Sequence, residues 1–478
     1  METFTRHPGV CEQFFIARKK ANLYTNFFIS AKLNQDLNIS ILFHSLRKVL
    51  LNNSFLVLYY SSLDNQLKPC NKVYFNDVVS FQIYNQPQSS YPISSSIDEN
   101  LLSSLDNYKF QLDNSSKPLW KIIILNNNEI VILCEHLIDG FSCVLFHNLL
   151  INEFNNYNYN ETNTSEINNN TNDLLLFDSF NDLKSLKPLP PTIDGFLNLD
   201  PISLPNAQNN FLSSPLPLFS KSNQIYSSYF CHHNYNSIFK IVKFKKSETE
   251  KLLKLKKHFS SNKNTNLRLI SIIQIFFLKS LPTNYIKSVY PKQIEFLIAV
   301  DLRRFVDNET MENQNLIGSF PSVHKFIIQT DQFLNSTHEF LILKINQEIN
   351  SILTRPLLLF SNYQKNYINS NGNIQIYKNL LLSQINLKKR EVNRLSNLGY
   401  NTQSHEGNWK IIEFMFNQNI SDIGSSMVLN QISTENGMNF VLGFVKGIFV
   451  EYDKNTTQNE DDIINTIASK FKKSLLKF

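Results

Sequence analysis

The strongest constraint on the fold of this chain sits in one short stretch, Glu129-Ile-Val-Ile-Leu-Cys-Glu-His136-Leu-Ile-Asp139-Gly140-Phe-Ser142. Ile130 to Cys134 is an uninterrupted apolar run, as expected of a strand covered on both faces. Ser142 to Leu150 then spaces its apolar residues as a helix does. A histidine therefore leaves the end of a buried strand just before a tight turn into a helix, which is a rigid mount for a base. A neutral imidazole held there can take a proton from a hydroxyl or an amine. Asp139 and Gly140 read as turn chemistry: the carboxylate fixes the loop by hydrogen bonds or an ion pair, and glycine lets the backbone reverse. Taken alone, a histidine at a strand end is more often structural than catalytic, and Asp-Gly is a common turn dipeptide.

With 478 residues, two domains of similar length are expected. A hydrophobic fraction of 42%, with 38 Phe and 19 Tyr, supplies a large core. The net charge of +6 is mild, and the basic residues form no run interleaved with aromatics, which argues against nucleic-acid binding. A nucleotide-phosphate ligand, an anionic membrane surface or a solvated face each accommodates the surplus. The five cysteines are scattered and form no Cys-x-x-Cys pair, so neither a metal site nor a disulfide framework is expected, and a reducing cytosol is the expected compartment. The first residues lack the apolar core of a signal peptide, and no apolar run approaches the roughly 20 residues that span a bilayer.

Along the chain, Glu12 to Arg18 precedes an alternating strand, Phe28 to Leu33, and Ile39 to Leu50 shows helical spacing with Asp36 near its N-cap. Phe55 to Tyr60 reads as a strand, and short strands are expected near Val73 and Phe81. Pro118 to Leu125 is a strand turned by Asn126-Asn-Asn128 into the strand that carries His136, a hairpin within a mixed sheet. Asn152 to Asn172 is low in complexity and reads as a flexible insertion; residues 186–222 are proline-stiffened and read as a linker or crossover. Further strands are expected over Ser237 to Phe244 and Ile294 to Val300, with helices from Ser247, over Asn266 to Leu281 and from Asp331 to Leu353. Asp461 to Phe478 is a basic amphipathic helix, able to lie on a membrane or lipid-droplet surface or simply to cap the second domain.

The His136 stretch resembles the catalytic segment of the CoA-dependent acyltransferase superfamily, where a His-x-x-x-Asp-Gly motif follows a buried strand in chloramphenicol acetyltransferase, plant acyltransferases and fungal alcohol acetyltransferases. Here two residues, not three, separate His136 from Asp139. Either the loop is one residue shorter with the histidine still facing the cleft, or the site is damaged. Pro118-Leu-Trp120, Asp301-Leu-Arg303, Asn315-Leu-Ile-Gly318, Ser396-Asn397-Leu-Gly399 and the block containing Gly407-Asn-Trp409, Phe414 and Ser433-Thr434 look like successive segments of the fungal alcohol acetyltransferases.

The resemblance implies an α/β (α+β) protein of two chloramphenicol acetyltransferase-like domains, each a mixed β-sheet flanked by helices, with the active-site channel between them. The expected division is residues 1–185, a linker or crossover over 186–225, and 226–478. It further implies acetyl-CoA as co-substrate, no metal, and a small-molecule alcohol or amine as acceptor. His136 would be the general base and Asp139 would hold the loop, with Gly140 and Arg303 as support. Ser433 and Thr434 are candidate oxyanion donors or channel residues, or else strand-end turn residues. The expected activity is alcohol O-acetylation; acetylation of a long-chain, sphingoid-like amine and a non-catalytic paralogue are the alternatives. A cytoplasmic monomer is expected, with contact to a lipid droplet or the endoplasmic reticulum surface through residues 461–478.

Overall fold

Two sheets, one founded on each half of the chain, carry the fold. The computed structural model describes residues 4–23, 26–84, 95–157, 174–196, 237–262, 265–306, 316–383, 391–401, 407–420, 424–449 and 459–477. The strands of the first half are β1 (Phe27–Leu33), β2 (Leu58–Ser61), β3 (Gln66–Pro69), β4 (Lys72–Tyr74), β5 (Val79–Gln82), β6 (Trp120–Leu125), β7 (Glu129–Cys134) and β8 (Leu175–Asp178). Those of the second half are β9 (Ser237–Lys245), β10 (Gln293–Asp301), β11 (Pro321–Gln329), β12 (Asn393–Tyr400), β13 (Ile411–Gln418), β14 (Met427–Thr434) and β15 (Gly437–Val445). The first sheet runs β13-β1-β7-β6-β5 and the second β11-β10-β12-β14-β15-β9, while β2 pairs with β3 and β4 with β8. Both large sheets are mixed: β5 lies parallel to β6, and β12 parallel to β10 and β14, within otherwise antiparallel neighbours.

Local chemistry explains the hairpin that presents the site. Asn126 and Asn127 take φ values of 48° and 62°, left-handed positions that asparagine tolerates and that match the twist of the paired strands. All six residues of β7 are buried. Ile130, Ile132 and Cys134 face the main core of the first lobe, and Val131 and Leu133 join a second apolar layer with Phe28, Leu102 and Val441. This double cover accounts for the unbroken apolar run. The helix Gly140–Asn155 then packs back on β1 and on the helix Ile39–Asn52.

The lobes are not separate in sequence. β13 comes from the second half yet pairs antiparallel with β1, from Phe27 opposite Gln418 to Leu33 opposite Ile411. The helices Pro356–Ser370 and Ile374–Leu382 pack on the first helix, Val10–Lys20, and Leu359, Tyr377 and Leu381 lie in the first core. A division of the chain at 186–225 thus leaves parts of the second half inside the first lobe. Residues 197–225 of that stretch lie outside the described residues.

Several elements differ from the sequence reading. β1 alternates in sequence but is buried throughout, because Ser30 on one of its faces donates its hydroxyl to the buried Glu129 carboxylate at 2.5 Å. Asn38, not Asp36, caps the helix Ile39–Asn52 by accepting from the Ser40 amide. Phe55 to Val57 is a turn of 3-10 helix, and the strand begins at Leu58. Residues 152–155 of the low-complexity stretch belong to the helix after His136; residues 158–173 lie outside the described residues. The helix expected over Asp331 to Leu353 is two, Thr330–Asn335 and His338–Ile352, because the Thr337 side chain caps the second by accepting from the Phe340 amide.

The last helix, Glu460–Lys477, buries Ile463, Ile464, Ile467, Phe471 and Leu475 in the second core. The residues that would enter a lipid surface are therefore the ones that cover the second sheet. Among the described residues no single helix is long and apolar enough to cross a membrane.

Candidate active site

The turn after β7 is built from its own backbone outward. Asp139 is the N-cap of the helix Gly140–Asn155, its Oδ1 accepting from the Ser142 amide at 2.8 Å. Gly140 is thus the first helical residue rather than a reversed turn, and its φ is not among the positive ones. What favours glycine is proximity: a Cβ there would lie 3.1 Å from Leu398 Cδ2, so that side chain would have to give by a few tenths of an ångström. The carboxylate that caps the helix also reaches across the lobes. Asp139 Oδ2 accepts from Arg303 Nη1 at 2.8 Å and from the Phe320 amide at 2.8 Å.

Arg303 is 2% exposed and spends its donors on this junction. Besides Asp139 it donates to Asp301 Oδ1 at 3.0 Å, to the Leu316 carbonyl at 3.0 Å and to Ser142 Oγ at 2.7 Å, and its guanidinium lies 4.2 Å from the centre of the Phe320 ring. Burial opposes the arginine's charge, yet Asp139 and Asp301 outweigh it and raise its pKa. The Asp301 carboxyl is raised by burial against the pull of Arg303. Ser142 completes the clasp: its hydroxyl donates to the Gly318 carbonyl and accepts from the Gly318 amide, both at 3.0 Å. The Asp139 amide donates to the same carbonyl at 3.0 Å, and Ser319 Oγ donates to the His136 carbonyl at 3.2 Å. Residues 316–320 of one lobe therefore hold residues 136–142 of the other.

Held this way, the His136 ring lines a cavity between the lobes that encloses about 1030 Å³, its open mouth included. The first lobe contributes Phe14, Phe15, Arg18 and Phe27, the second Val300, Ser322, Arg394 and Leu398, and the crossing strand β13 contributes Phe416 and Gln418. Phe15 stacks on the imidazole at 5.5 Å between centroids, and Phe27 meets it edge-on at 5.0 Å. The histidine is held well below its usual pKa, first by burial and then by the nearby charges of Arg18, Arg394 and Lys19. The ring is thus neutral at pH 7, the form in which imidazole accepts a proton. Behind it Glu135 is buried, and its carboxyl is pushed up to about 7 by burial, against Lys19. Among the described residues no group of His, Cys, Asp and Glu is disposed to hold a metal ion.

The structure brings His136, Asp139, Gly140 and Arg303 to this one cavity. The motif that is one residue short still presents the imidazole, because the capping carboxylate and its arginine anchor the far end of the loop. Ser433 and Thr434 are not brought there. Their hydroxyls donate to the carbonyls of Gly399 and Ile412, at 2.9 and 3.4 Å, and neither residue lines the cavity. Of the two readings of that pair, the strand-end one describes what they do. The sequence reading missed Ser142 as the hub of the clasp and the cavity-lining arginines Arg18 and Arg394. No local signal marks Arg18, because the burial of Val10 to Lys19 in the first helix appears only in the fold.

A two-lobed pair of helix-flanked sheets with a histidine between them defines the acyltransferase and condensation-domain class of fold. The trichothecene 15-O-acetyltransferase TRI3 of Fusarium sporotrichioides superposes with a TM-score of 0.62 at 11% identity, over 98% of this chain and 95% of that one. Polyketide synthase associated protein 5 of Mycobacterium tuberculosis gives 0.55 at 10% identity over 98% and 97%, and the epimerization domain of tyrocidine synthetase B gives 0.53 at 11% over 98% and 95%. In sequence, the alcohol acetyltransferase profile matches residues 7–471, and the chain belongs to the alcohol acetyltransferase family. An uncharacterised protein of Schizosaccharomyces pombe is 23% identical over 488 residues, covering 98% of each chain.

Proposed function

We propose that the protein transfers acetyl from acetyl-CoA to an alcohol hydroxyl, with His136 as the general base. The observation that carries this reading is the neutral, aromatic-flanked imidazole set in a cavity walled by both lobes. The acceptor oxygen attacks the thioester carbonyl while His136 takes its proton. The tetrahedral intermediate then expels the CoA sulfur, which leaves as the thiol with that proton, and the ester remains. Asp139 and Arg303 fix the loop and so the position of the ring. The flanking aromatic rings keep water from the thioester, which favours transfer over hydrolysis.

The test is release of free thiol from acetyl-CoA by the purified protein, across a panel of alcohols and amines. Release with isoamyl or phenylethyl alcohol, accompanied by the acetate ester, supports O-acetylation. Release confined to long-chain amines replaces it with N-acetylation, and silence across the panel replaces it with a non-catalytic paralogue.

A further inference from the structure

We propose that Glu135 is a positioning residue for the transfer, its carboxyl fixing the turn that aims the His136 imidazole into the cavity. The proposal rests on the acetyl-transfer reading and adds to it the group that aims the base.

His136 is the first central residue of a tight turn that begins at Glu135. The Ile138 amide donates to the Glu135 carbonyl at 3.0 Å, and the Glu135 amide donates to the Leu119 carbonyl at 2.9 Å, which ties the turn to the mouth of the β6-β7 hairpin. The Glu135 side chain then folds back over the same turn. Its Oε2 accepts from the Leu137 amide at 3.1 Å, and the His136 amide acts on the same carboxyl. Three consecutive amides, those of residues 136–138, thus converge on one residue that is 0% exposed. Without the carboxyl the turn would keep only its backbone bond, and two of its amides would lose their acceptor in the interior.

The same carboxyl faces the first helix. Lys19, itself buried, is the cation that acts on it most, ahead of Arg18. Phe15 lies four residues before Lys19 and therefore on the same side of that helix, and it stacks on the imidazole at 5.5 Å between centroids. One side of the helix so meets the turn at two successive residues, Lys19 at Glu135 and Phe15 at His136. The first contact sets the backbone of the base and the second sets its ring.

Burial raises the Glu135 carboxyl to about 7, so once ionised it costs the fold stability. An apolar side chain would fill the site without that cost and leave the turn amides bare. A carboxyl oxygen accepts from an amide whether the group is protonated or not, so the role persists as Glu135 titrates, and glutamine can perform it.

The experiment compares the full chain with Glu135→Met, which keeps the bulk and removes the acceptor, with Glu135→Ala, and with Glu135→Gln, which keeps the acceptor. Thiol release from acetyl-CoA is measured with the alcohol panel, unfolding by thermal melting at pH 8, and the His136 ring by NMR of histidine-labelled protein, its resonance assigned by its loss in His136→Ala. Glu135→Met is expected to lose kcat by at least about tenfold, with KM for acetyl-CoA unchanged, a melting midpoint that holds or rises, and a shifted His136 resonance. Glu135→Gln is expected to restore both kcat and the resonance. A folded Met variant with wild-type kcat, or with an unmoved resonance, overturns the proposal. So does a loss of kcat that follows a loss of stability and that Gln does not restore, and so does the failure of both Met and Ala variants to fold, since each marks a structural role. If the wild type releases no thiol but the resonance moves in Glu135→Met and returns in Glu135→Gln, the positioning role stands and acetyl transfer falls. If nothing reacts and the resonance stays, both fall.

Discussion

His136 owes its chemistry to its neighbours more than to its place in a motif. Phe15 and Phe27 fix the ring, and burial with three nearby cations keeps it unprotonated. The sign of the pH dependence follows. Protonation disables the base, and its pKa lies below the usual 6.5, so activity persists as pH falls through 6.5 and is lost only lower. A kcat/KM profile whose acidic limb has its midpoint below 6.5 is expected; a midpoint above 6.5 contradicts the burial of the ring. Another buried histidine, His147, has its pKa pushed down to about 4 by burial, and binds the Ile29 carbonyl at 3.2 Å. Its depressed pKa contributes stability that is present above the unfolded value of 6.5 and is lost as pH falls toward 4. Denaturant unfolding of wild type and His147→Gln at pH 7 and pH 4.5 checks this, and the variant should show the smaller loss on acidification. At this scale the sequence was informative for His136 and Asp139, since the apolar run and the capping residue are local signals. It left Ser433 and Thr434 between two readings, because the carbonyls that take their hydroxyls are brought near only by the tertiary fold.

The turn from β7 into its helix works as an element only because residues 316–320 close over it. Asp139 caps the helix, pairs with Arg303 and accepts from the Phe320 amide, so one carboxylate serves both lobes. Removing one partner of such a buried pair strands the other, at about 3–5 kcal/mol. Arg303→Ala should therefore lower unfolding free energy by about that much, measured by denaturant titration; a loss under about 1 kcal/mol would show that the pair is dispensable. Asp139→Asn keeps a capping side chain but not the charge, so stability and rate should fall together. The Asp-Leu-Arg triplet could be read from the sequence, whereas the direction of its arginine could not. A strand-end arginine faces solvent in many folds, and here the arriving segment from Leu316 to Phe320 buries it.

Across the whole molecule, β13 decides how the halves cohere. It completes the first sheet beside β1, while its Gln418 donates to the Asn430 side chain of β14, which in turn donates to its Asn417. Residues 1–196 expressed alone would expose the edge of β1 and lack Leu359, Tyr377 and Phe416 from the core. That fragment should be insoluble or unfolded by circular dichroism, and a soluble, cooperatively melting fragment would show that the lobes are independent. Two domains were expected from chain length and a mixed first sheet from the hairpin that carries His136, whereas the second mixed sheet was implied by the family resemblance. The exchange of β13 was not legible in its residues, because a strand carries no mark of the sheet it joins. The most direct test of His136 as the base is CoA thiol release by the wild type and by His136→Ala under identical conditions, with folding checked by circular dichroism. The variant should remain folded and lose activity by at least about 100-fold, the lower end of what a general base contributes. A folded His136→Ala protein that releases thiol and forms ester at the wild-type rate would contradict the assignment.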